Sequence, residues 1–167
     1  DLAASDAGGD TTLEVAVSEL ATSAEPGGWT ELTGRIGGRM AVYCRALGMK
    51  VVAWSQNLTP EAAAAAGAVR VEKDELLSTA DVVSLHLVLS QRTRGILGAV
   101  DLARLKPGAI LVNTARAQLV DEAALIEAVE SRRIVAALDV FYREPLPPAH
   151  PLARAPNVVL TPHLGYS

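Results

Sequence analysis

Short apolar segments alternate with helical patterns from Gly34 onward, and this alternation limits the possible folds more than any other feature. Five segments have the length and the Val, Leu and Ala content of buried strands: residues 50–54, 81–85, 109–113, 134–139 and 158–160. Helical patterns separate them, at residues 36–47, 59–66, 74–79, 100–105 and 121–132. Strands alternating with helices form βαβ units, so the sequence predicts an α/β fold with a doubly wound parallel sheet.

Three residue types mark the predicted helix ends. Gly48 is expected to stop the first helix, because glycine adopts the left-handed conformation that ends many helices. Thr59 precedes Pro60 and is a suitable N-cap for the Ala-rich helix that follows. Asp121 has the same role before residues 122–132.

The first 28 residues are harder to interpret. Glu14 and Glu19 favour a helix over residues 10–20, whereas the alternation of Leu13, Val15 and Val17 is typical of a strand. We favour the helix. Pro26-Gly27-Gly28 then interrupts the chain.

Polar residues follow the predicted strands directly, whereas the strands themselves are apolar. Parallel sheets bind ligands at the carboxyl ends of their strands, so these residues are the first candidates for a site. They are Ser55, His86, residues 114–116, residues 139–144 and residues 161–163.

Gly34-Arg35-Ile36-Gly37 is expected to open the first helix. It looks like the last two glycines of the G-x-G-x-x-G fingerprint, in which amides at a helix N-terminus meet a pyrophosphate. Leu32 stands where the first glycine would be, and residues 29–33 contain Glu31, which does not suit a buried strand. We therefore expect the first strand of the sheet to be missing or replaced. Residues 13–18 or residues 29–33 could form a substitute strand, or a partner chain could cover the open edges.

Several longer segments carry a more specific resemblance. They are residues 80–86 (ADVVSLH), 106–109 (KPGA), 111–116 (LVNTAR), 137–141 (ALDVF), 144–147 (EPLP) and 161–165 (TPHLG). In this order they resemble the cofactor domain of the D-isomer-specific 2-hydroxyacid dehydrogenases, and the resemblance runs from about Gly34 to Ser167. It implies a Rossmann-like NAD(P)-binding domain and reversible reduction of a 2-keto acid to a D-2-hydroxy acid.

The resemblance implies a catalytic set of Arg116, Glu144 and His163. A guanidinium can clamp the substrate carboxylate, and an imidazole can exchange a proton with the substrate oxygen near neutral pH. Glu144 would orient His163 and favour its charged form.

The resemblance and the strand ends together give the candidate cofactor-binding residues. Arg35 and Ile36 would cover the pyrophosphate, and Asp139 would lie near the nicotinamide carboxamide. Ser55 stands where an acidic residue normally holds the adenosine ribose, and it does not repel a 2′-phosphate. No Arg follows it to attract such a phosphate, so NAD is the expected cofactor and NADP is left open. The full set is Gly34, Arg35, Ile36, Gly37, Ser55, His86, Leu87, Thr93, Thr114, Ala115, Asp139 and Gly165.

The resemblance also defines the expected domains and departures from the family. Residues 1–28 would be a remnant of the substrate-domain segment, and residues 29–167 the dinucleotide-binding domain. Most of the substrate domain is expected to be missing, and Ala117 stands where a glycine usually follows the catalytic arginine. Family members commonly dimerise through this domain, so a homodimer is expected.

Composition excludes several other classes. A net charge of −4 argues against nucleic acid as a partner, and no apolar run reaches membrane-spanning length. The single cysteine, Cys44, is expected to be a packing residue and indicates a reducing cytoplasm. The three histidines lack metal-ligand spacing, so no metal is expected. Two alternatives stay open: an inactive remnant that only binds nucleotide or self-associates, and a domain that binds a different nucleotide.

Overall fold

A computed structural model describes residues 14–18 and 30–166, which form one parallel sheet with its helices. The strands are β1 (Glu14–Ser18), β2 (Lys50–Ala53), β3 (Val69–Arg70), β4 (Val82–Leu85), β5 (Ile110–Asn113), β6 (Val135–Leu138) and β7 (Val158–Leu160). The α-helices are α1 (Thr30–Ala46), α2 (Pro60–Ala65), α3 (Lys73–Thr79), α4 (Ala99–Arg104), α5 (Glu122–Glu130) and α6 (Pro151–Arg154). Short 3-10 turns occur at Ala117–Leu119 and Leu164–Tyr166.

The sheet has the strand order β3-β2-β1-β4-β5-β6-β7, and every neighbouring pair is parallel. Val51 of β2 packs in one cluster of buried apolar side chains, whereas the next residue, Val52, packs against a second cluster. Successive side chains of a strand point to opposite faces, so apolar side chains cover both faces of the sheet. The predicted doubly wound α/β fold is confirmed.

The predicted helix ends are also confirmed. The Thr59 hydroxyl accepts a hydrogen bond from the Ala62 amide at 3.2 Å, and the Asp121 carboxylate accepts one from the Ala124 amide at 2.9 Å. Gly48 follows α1 with a φ of 81°, the left-handed conformation that glycine adopts without strain.

The centre of the sheet corrects the prediction for the first strand. Residues 14–18 form β1 rather than part of a helix, and β1 lies between β2 and β4. Val15 is paired with Val51 on one side and with Val82 on the other. The backbone hydrogen bonds of two ladders outweigh the modest helix preference of the glutamates. Of the three ways to fill this slot, residues 13–18 were the correct alternative, although Leu13 lies outside the described residues.

This strand also changes the expected domain boundary. Because β1 belongs to the sheet, the sheet includes residues that precede position 29, where the dinucleotide-binding domain was expected to begin. A partner chain is not needed to cover the edges of β2 and β4. Residues 30–33 are helical, so the alternative that placed a substitute strand there is wrong.

The buried core lies on both sides of the central strands. Val83, Leu85, Leu111 and Leu138 are almost fully buried, as the apolar composition of the predicted strands required. Cys44 is also buried, in the same cluster as Val51, and burial raises the pKa of its thiol, which fits a packing residue. Within the described ranges, 14–18 and 30–166, no helix is both long and apolar enough to cross a bilayer.

Candidate functional site

Buried polar side chains collect at one edge of the sheet. The buried polar or charged residues of the described chain lie within two residues of the carboxyl ends of β2, β4, β5 and β6. They are Ser55, Ser84, His86, Asn113 and Asp139. Burying a polar group is costly unless it is hydrogen-bonded, so a concentration of buried polar groups at one place is notable. Parallel sheets bind ligands at the carboxyl ends of their strands, and this edge is therefore the candidate site.

His163 and Glu144 form the closest pair of ionisable groups at this edge. Nδ1 of His163 lies 2.7 Å from Oε2 of Glu144, and the Phe141 amide donates to Oε1 of Glu144 at 3.0 Å. These two hydrogen bonds, from His163 first and from Phe141 second, lower the pKa of Glu144 below its ordinary value. An ionised carboxylate only accepts hydrogen bonds, so Nδ1 carries the proton and Nε2 is the ring atom suited to proton exchange.

Asp139 fixes the backbone that carries His163. Its buried carboxylate accepts the Thr161 hydroxyl at 2.5 Å, the Leu164 amide at 2.8 Å and the Gly165 amide at 3.0 Å. Burial alone would raise the pKa of Asp139, but these three hydrogen bonds outweigh it and lower the pKa below its ordinary value. The segment held in this way includes His163 at a φ of 58°, a conformation that non-glycine residues rarely adopt.

Gly165 allows the close approach to Asp139. A Cβ at this position would lie 3.3 Å from Oδ2 of Asp139, which is tighter than an ordinary contact. The proposed contact of Asp139 with the nicotinamide carboxamide stays a prediction.

Arg116 is positioned by a buried asparagine that the sequence reasoning missed. Asn113, at the end of β5, accepts the Ala115 amide at 3.1 Å and donates to the carbonyl oxygen of Arg116 at 2.9 Å. Asn113 is only 2% exposed. An asparagine that bonds to the backbone two and three residues later is a common turn device, and this signal was available in the sequence.

The replacement of glycine by Ala117 is compatible with this turn. Ala117 opens a 3-10 turn, and its backbone φ is not positive. No left-handed backbone conformation is required at position 117, so alanine fits without strain.

The three predicted catalytic residues share one cavity of about 270 Å³. Tyr142 also lines it, and the Tyr142 hydroxyl donates to the carbonyl oxygen of Val120 at 2.8 Å, which links the Glu144 loop to the loop after Arg116. The cavity is lined by Arg116, Ala117, Gln118, Val140, Phe141, Tyr142, Glu144 and His163. A second cavity of about 480 Å³ lies beside it, also lined by His163 and Glu144. Residues that carry a guanidinium, a carboxylate and an imidazole therefore line one cavity.

The candidate cofactor residues after β4 are partly buried in the protein. His86 lies with Nε2 3.0 Å from the Ser84 hydroxyl oxygen, and burial lowers the pKa of His86 to about 4, so the ring is neutral at pH 7. Leu87 is buried beside it. Thr93 closes the following loop, because its hydroxyl accepts the Ser90 amide and donates to the Val88 carbonyl oxygen, both at 2.7 Å.

The glycine pair does not open the first helix, which corrects the prediction for the pyrophosphate loop. Helix α1 begins at Thr30, so Gly34, Arg35, Ile36 and Gly37 lie within it. Only the first turn of a helix has free amides, and those amides belong to residues 30–33. Gly37 is buried within this helix. The cofactor contacts of Arg35 and Ile36 stay predictions.

A dinucleotide fits the remaining features of this edge. The chain changes direction across the sheet between β1 and β4, and the crevice at such a switch point is where doubly wound sheets bind nucleotides. Ser55 lies at the end of β2, where the adenosine ribose would bind. Thr114 and Ala115 follow β5 and would line the cleft towards Arg116. Within the described residues, no cluster of His, Cys, Asp or Glu side chains could hold a metal ion.

Comparisons with known proteins agree with this arrangement. Residues 33–165 match the family described as D-isomer specific 2-hydroxyacid dehydrogenase, NAD binding domain. Over 80% of its length the chain is 41% identical to D-3-phosphoglycerate dehydrogenase of Archaeoglobus fulgidus, and over 78% it is 44% identical to glyoxylate reductase of Aeropyrum pernix. The chain spans 26% and 39% of the lengths of these two relatives.

Solved structures show the same similarity. A phosphoglycerate oxidoreductase from Vibrio cholerae superimposes with a TM-score of 0.80 and 35% identity, over 93% of this chain and 46% of that one. D-lactate dehydrogenase with NAD+ from Lactobacillus jensenii gives a TM-score of 0.75 and 33% identity, over 93% and 46% of the two chains. A D-isomer specific 2-hydroxyacid dehydrogenase from Xanthobacter autotrophicus, in complex with NADPH, gives a TM-score of 0.75 and 34% identity, over 91% of this chain and 58% of that one. The chain belongs to the D-isomer specific 2-hydroxyacid dehydrogenases, as their NAD-binding domain.

Proposed function

We propose that this chain carries the cofactor site and the catalytic residues of an NAD(P)-dependent oxidoreductase that interconverts a 2-keto acid and a D-2-hydroxy acid. The observation that supports this most strongly is the shared cavity of Arg116, Glu144 and His163. The 2.7 Å contact between His163 and Glu144 is the geometry expected of an oriented acid-base histidine.

Each of these residues has one role in the proposed reaction. The Arg116 guanidinium binds the substrate carboxylate and holds the neighbouring carbonyl group towards His163. The reduced nicotinamide, when bound, supplies the hydride to the carbonyl carbon. The carbonyl electron pair moves to the oxygen, which takes the proton from Nε2 of His163 and becomes the hydroxyl group. Glu144 accepts a hydrogen bond from Nδ1 and so orients the ring, and the reverse reaction returns the proton to Nε2.

Binding of the reduced cofactor and turnover of a keto acid together test this function. We expect NADH or NADPH to raise the melting temperature and to quench Trp fluorescence, because Trp54 directly follows β2 at the carboxyl edge. Glyoxylate, hydroxypyruvate and pyruvate should then each be tested for oxidation of the reduced cofactor. Turnover of one of them supports the proposal. Cofactor binding without any turnover would favour the inactive nucleotide-binding remnant. Absence of binding at millimolar cofactor, or preference for a nucleotide without nicotinamide, would contradict the proposal.

We also propose that the protein acts as a homodimer. Ile36 and Tyr43 lie on one face of helix α1 and Leu47 directly follows the helix, and these side chains are 53%, 58% and 74% exposed. Large exposed apolar side chains on one helix face are typical of an interface. Light scattering at micromolar concentration should give twice the monomer mass, and the double variant Tyr43→Glu, Leu47→Glu should give the monomer mass. A wild-type chain that is monomeric would contradict this proposal.

The cytoplasm is the proposed compartment. Its support is the single cysteine, Cys44, which is buried in the core and has no second cysteine in this sequence to form a disulfide. Fractionation of the source cells would test it, and recovery of the protein outside the cytoplasm would contradict it.

A further inference from the structure

The turn after β2 lacks the acidic residue that selects against a phosphorylated ribose. Residues 55–58 read Ser-Gln-Asn-Leu, and Ser55 is 8% exposed at the end of the strand. In doubly wound dinucleotide-binding sheets an Asp or Glu near this position binds the ribose 2′-hydroxyl and repels a 2′-phosphate, whereas a nearby Arg accommodates that phosphate. A serine hydroxyl can bind either group.

The structure brings an arginine to this turn from another strand. Arg70 is the last residue of β3 and is paired with Ala53 of β2. Nε of Arg70 donates to the carbonyl oxygen of Leu58 at 3.1 Å, and the Leu58 amide donates to the carbonyl oxygen of Ser55 at 3.3 Å. The Arg70 guanidinium is therefore hydrogen-bonded to the same four-residue turn that begins at Ser55.

Glu72 forms an ion pair with the Arg70 guanidinium in this structure. Nη1 of Arg70 lies 2.6 Å from Oε1 of Glu72, whose side chain is 69% exposed. Exposed ion pairs contribute little to stability, so a group of higher charge can replace Glu72 at low cost. A phosphate dianion is such a group, and guanidinium binds it with two parallel hydrogen bonds.

We infer that Arg70, together with Ser55, recognises a phosphate on the 2′ position of the adenosine ribose, so that the chain binds NADPH in preference to NADH. This inference rests on the proposed function, because it assigns part of the cofactor site. Arg70 lies fifteen positions after Ser55 in the sequence, and only the pairing of β2 with β3 brings the two together.

Titrations of the full chain with NADPH and with NADH test the inference, with Trp fluorescence or calorimetry as the readout. We expect NADPH to bind more tightly, and its affinity to fall more steeply with salt. Arg70→Gln should weaken NADPH binding roughly tenfold or more and leave NADH binding within about twofold. Glu72→Gln should tighten NADPH binding, because it removes the competing carboxylate.

Two further variants separate this role from a general loss of charge or of folding. Arg104 makes an exposed ion pair with Asp74 at 3.2 Å, on helices α4 and α3, so Arg104→Gln is a matched control that should not change the cofactor preference. Ser55→Asp restores the acidic residue and should reverse the preference towards NADH. Melting temperatures of all variants establish that each one is folded.

Each outcome of these titrations decides a different claim. A preference for NADPH that is lost in Arg70→Gln and kept in Arg104→Gln supports the inference. Equal binding of both cofactors, a preference for NADH, or an NADPH affinity that Arg70→Gln leaves unchanged overturns the inference and leaves the proposed function standing. Failure of both dinucleotides to bind overturns the proposed function, and the inference with it.

Discussion

The imidazole of His163 and the carboxylate of Glu144 lie 2.7 Å apart, although the two residues are nineteen positions apart in the sequence. Two separate sets of hydrogen bonds hold the residues in this contact. The Phe141 amide holds one oxygen of Glu144, and the buried Asp139 carboxylate holds the backbone on the far side of His163. The pair is therefore oriented before any substrate binds, which is what an acid-base histidine requires.

The lowered pKa of Glu144 makes part of the stability dependent on pH. The folded chain keeps this carboxylate charged at pH values where the unfolded chain binds a proton. The stabilisation is therefore present above the ordinary pKa of 4.5 and is lost as the pH falls through the lower value of the folded state. In urea unfolding between pH 7 and pH 3, Glu144→Gln should lose less stability than the wild type. Glu130→Gln, at the exposed end of α5, is the control, and an identical pH dependence in Glu144→Gln and wild type would contradict the prediction.

Removing the charge of Asp139 should destabilise the fold and disturb His163. Asp139→Asn replaces one acceptor oxygen with a donor that faces an amide or a hydroxyl, and it leaves a buried polar group without a partner. We expect a loss of about 2 kcal/mol in the free energy of unfolding, measured by urea denaturation at pH 7. Thr161→Val removes only one of the three hydrogen bonds and should cost about 1 kcal/mol. Equal effects of the two variants would argue against the role assigned to Asp139.

Burial of His86 adds a second pH dependence with the same sign. The folded chain holds this ring neutral down to a pKa of about 4, whereas the unfolded chain binds a proton near pH 6.5. Stability should therefore fall as the pH drops from about 6.5 to 4, by up to about 3 kcal/mol from this residue, and level off below. His86→Asn should remove this part of the slope in a pH series of unfolding curves. A slope that persists in the variant would show that other groups cause it.

The sequence predicted the regular part of the fold because local signals and tertiary structure agree there. Apolar strands such as residues 109–113 are bounded by turns, and caps such as Thr59 stand directly before their helices. β1 was predicted incorrectly because residues 14–18 carry a helix signal as well as a strand signal. Only pairing with β2 and β4 decides between them, and pairing partners are distant in sequence.

The candidate site divides in the same way. The residues that follow strands, such as Arg116 and His163, were predictable because parallel strands bring their carboxyl ends together. The start of α1 was not, because Glu31 and Leu32 favour helix and extend α1 past Gly34. Arg70 was also missed, since its relation to Ser55 depends on strand pairing alone.

Turnover of His163→Ala against His150→Ala tests the central claim most directly. His150 is also paired with a glutamate, Glu122, at 3.5 Å, but it does not line the cavity of Arg116, Glu144 and His163, so it is a matched control. With a 2-keto acid that the wild type reduces, His163→Ala should lower kcat at least about a hundredfold while the Kd for the reduced cofactor stays unchanged. His150→Ala should keep wild-type turnover. A kcat that is the same in His163→Ala and the wild type would contradict the assignment of His163 as the acid-base residue.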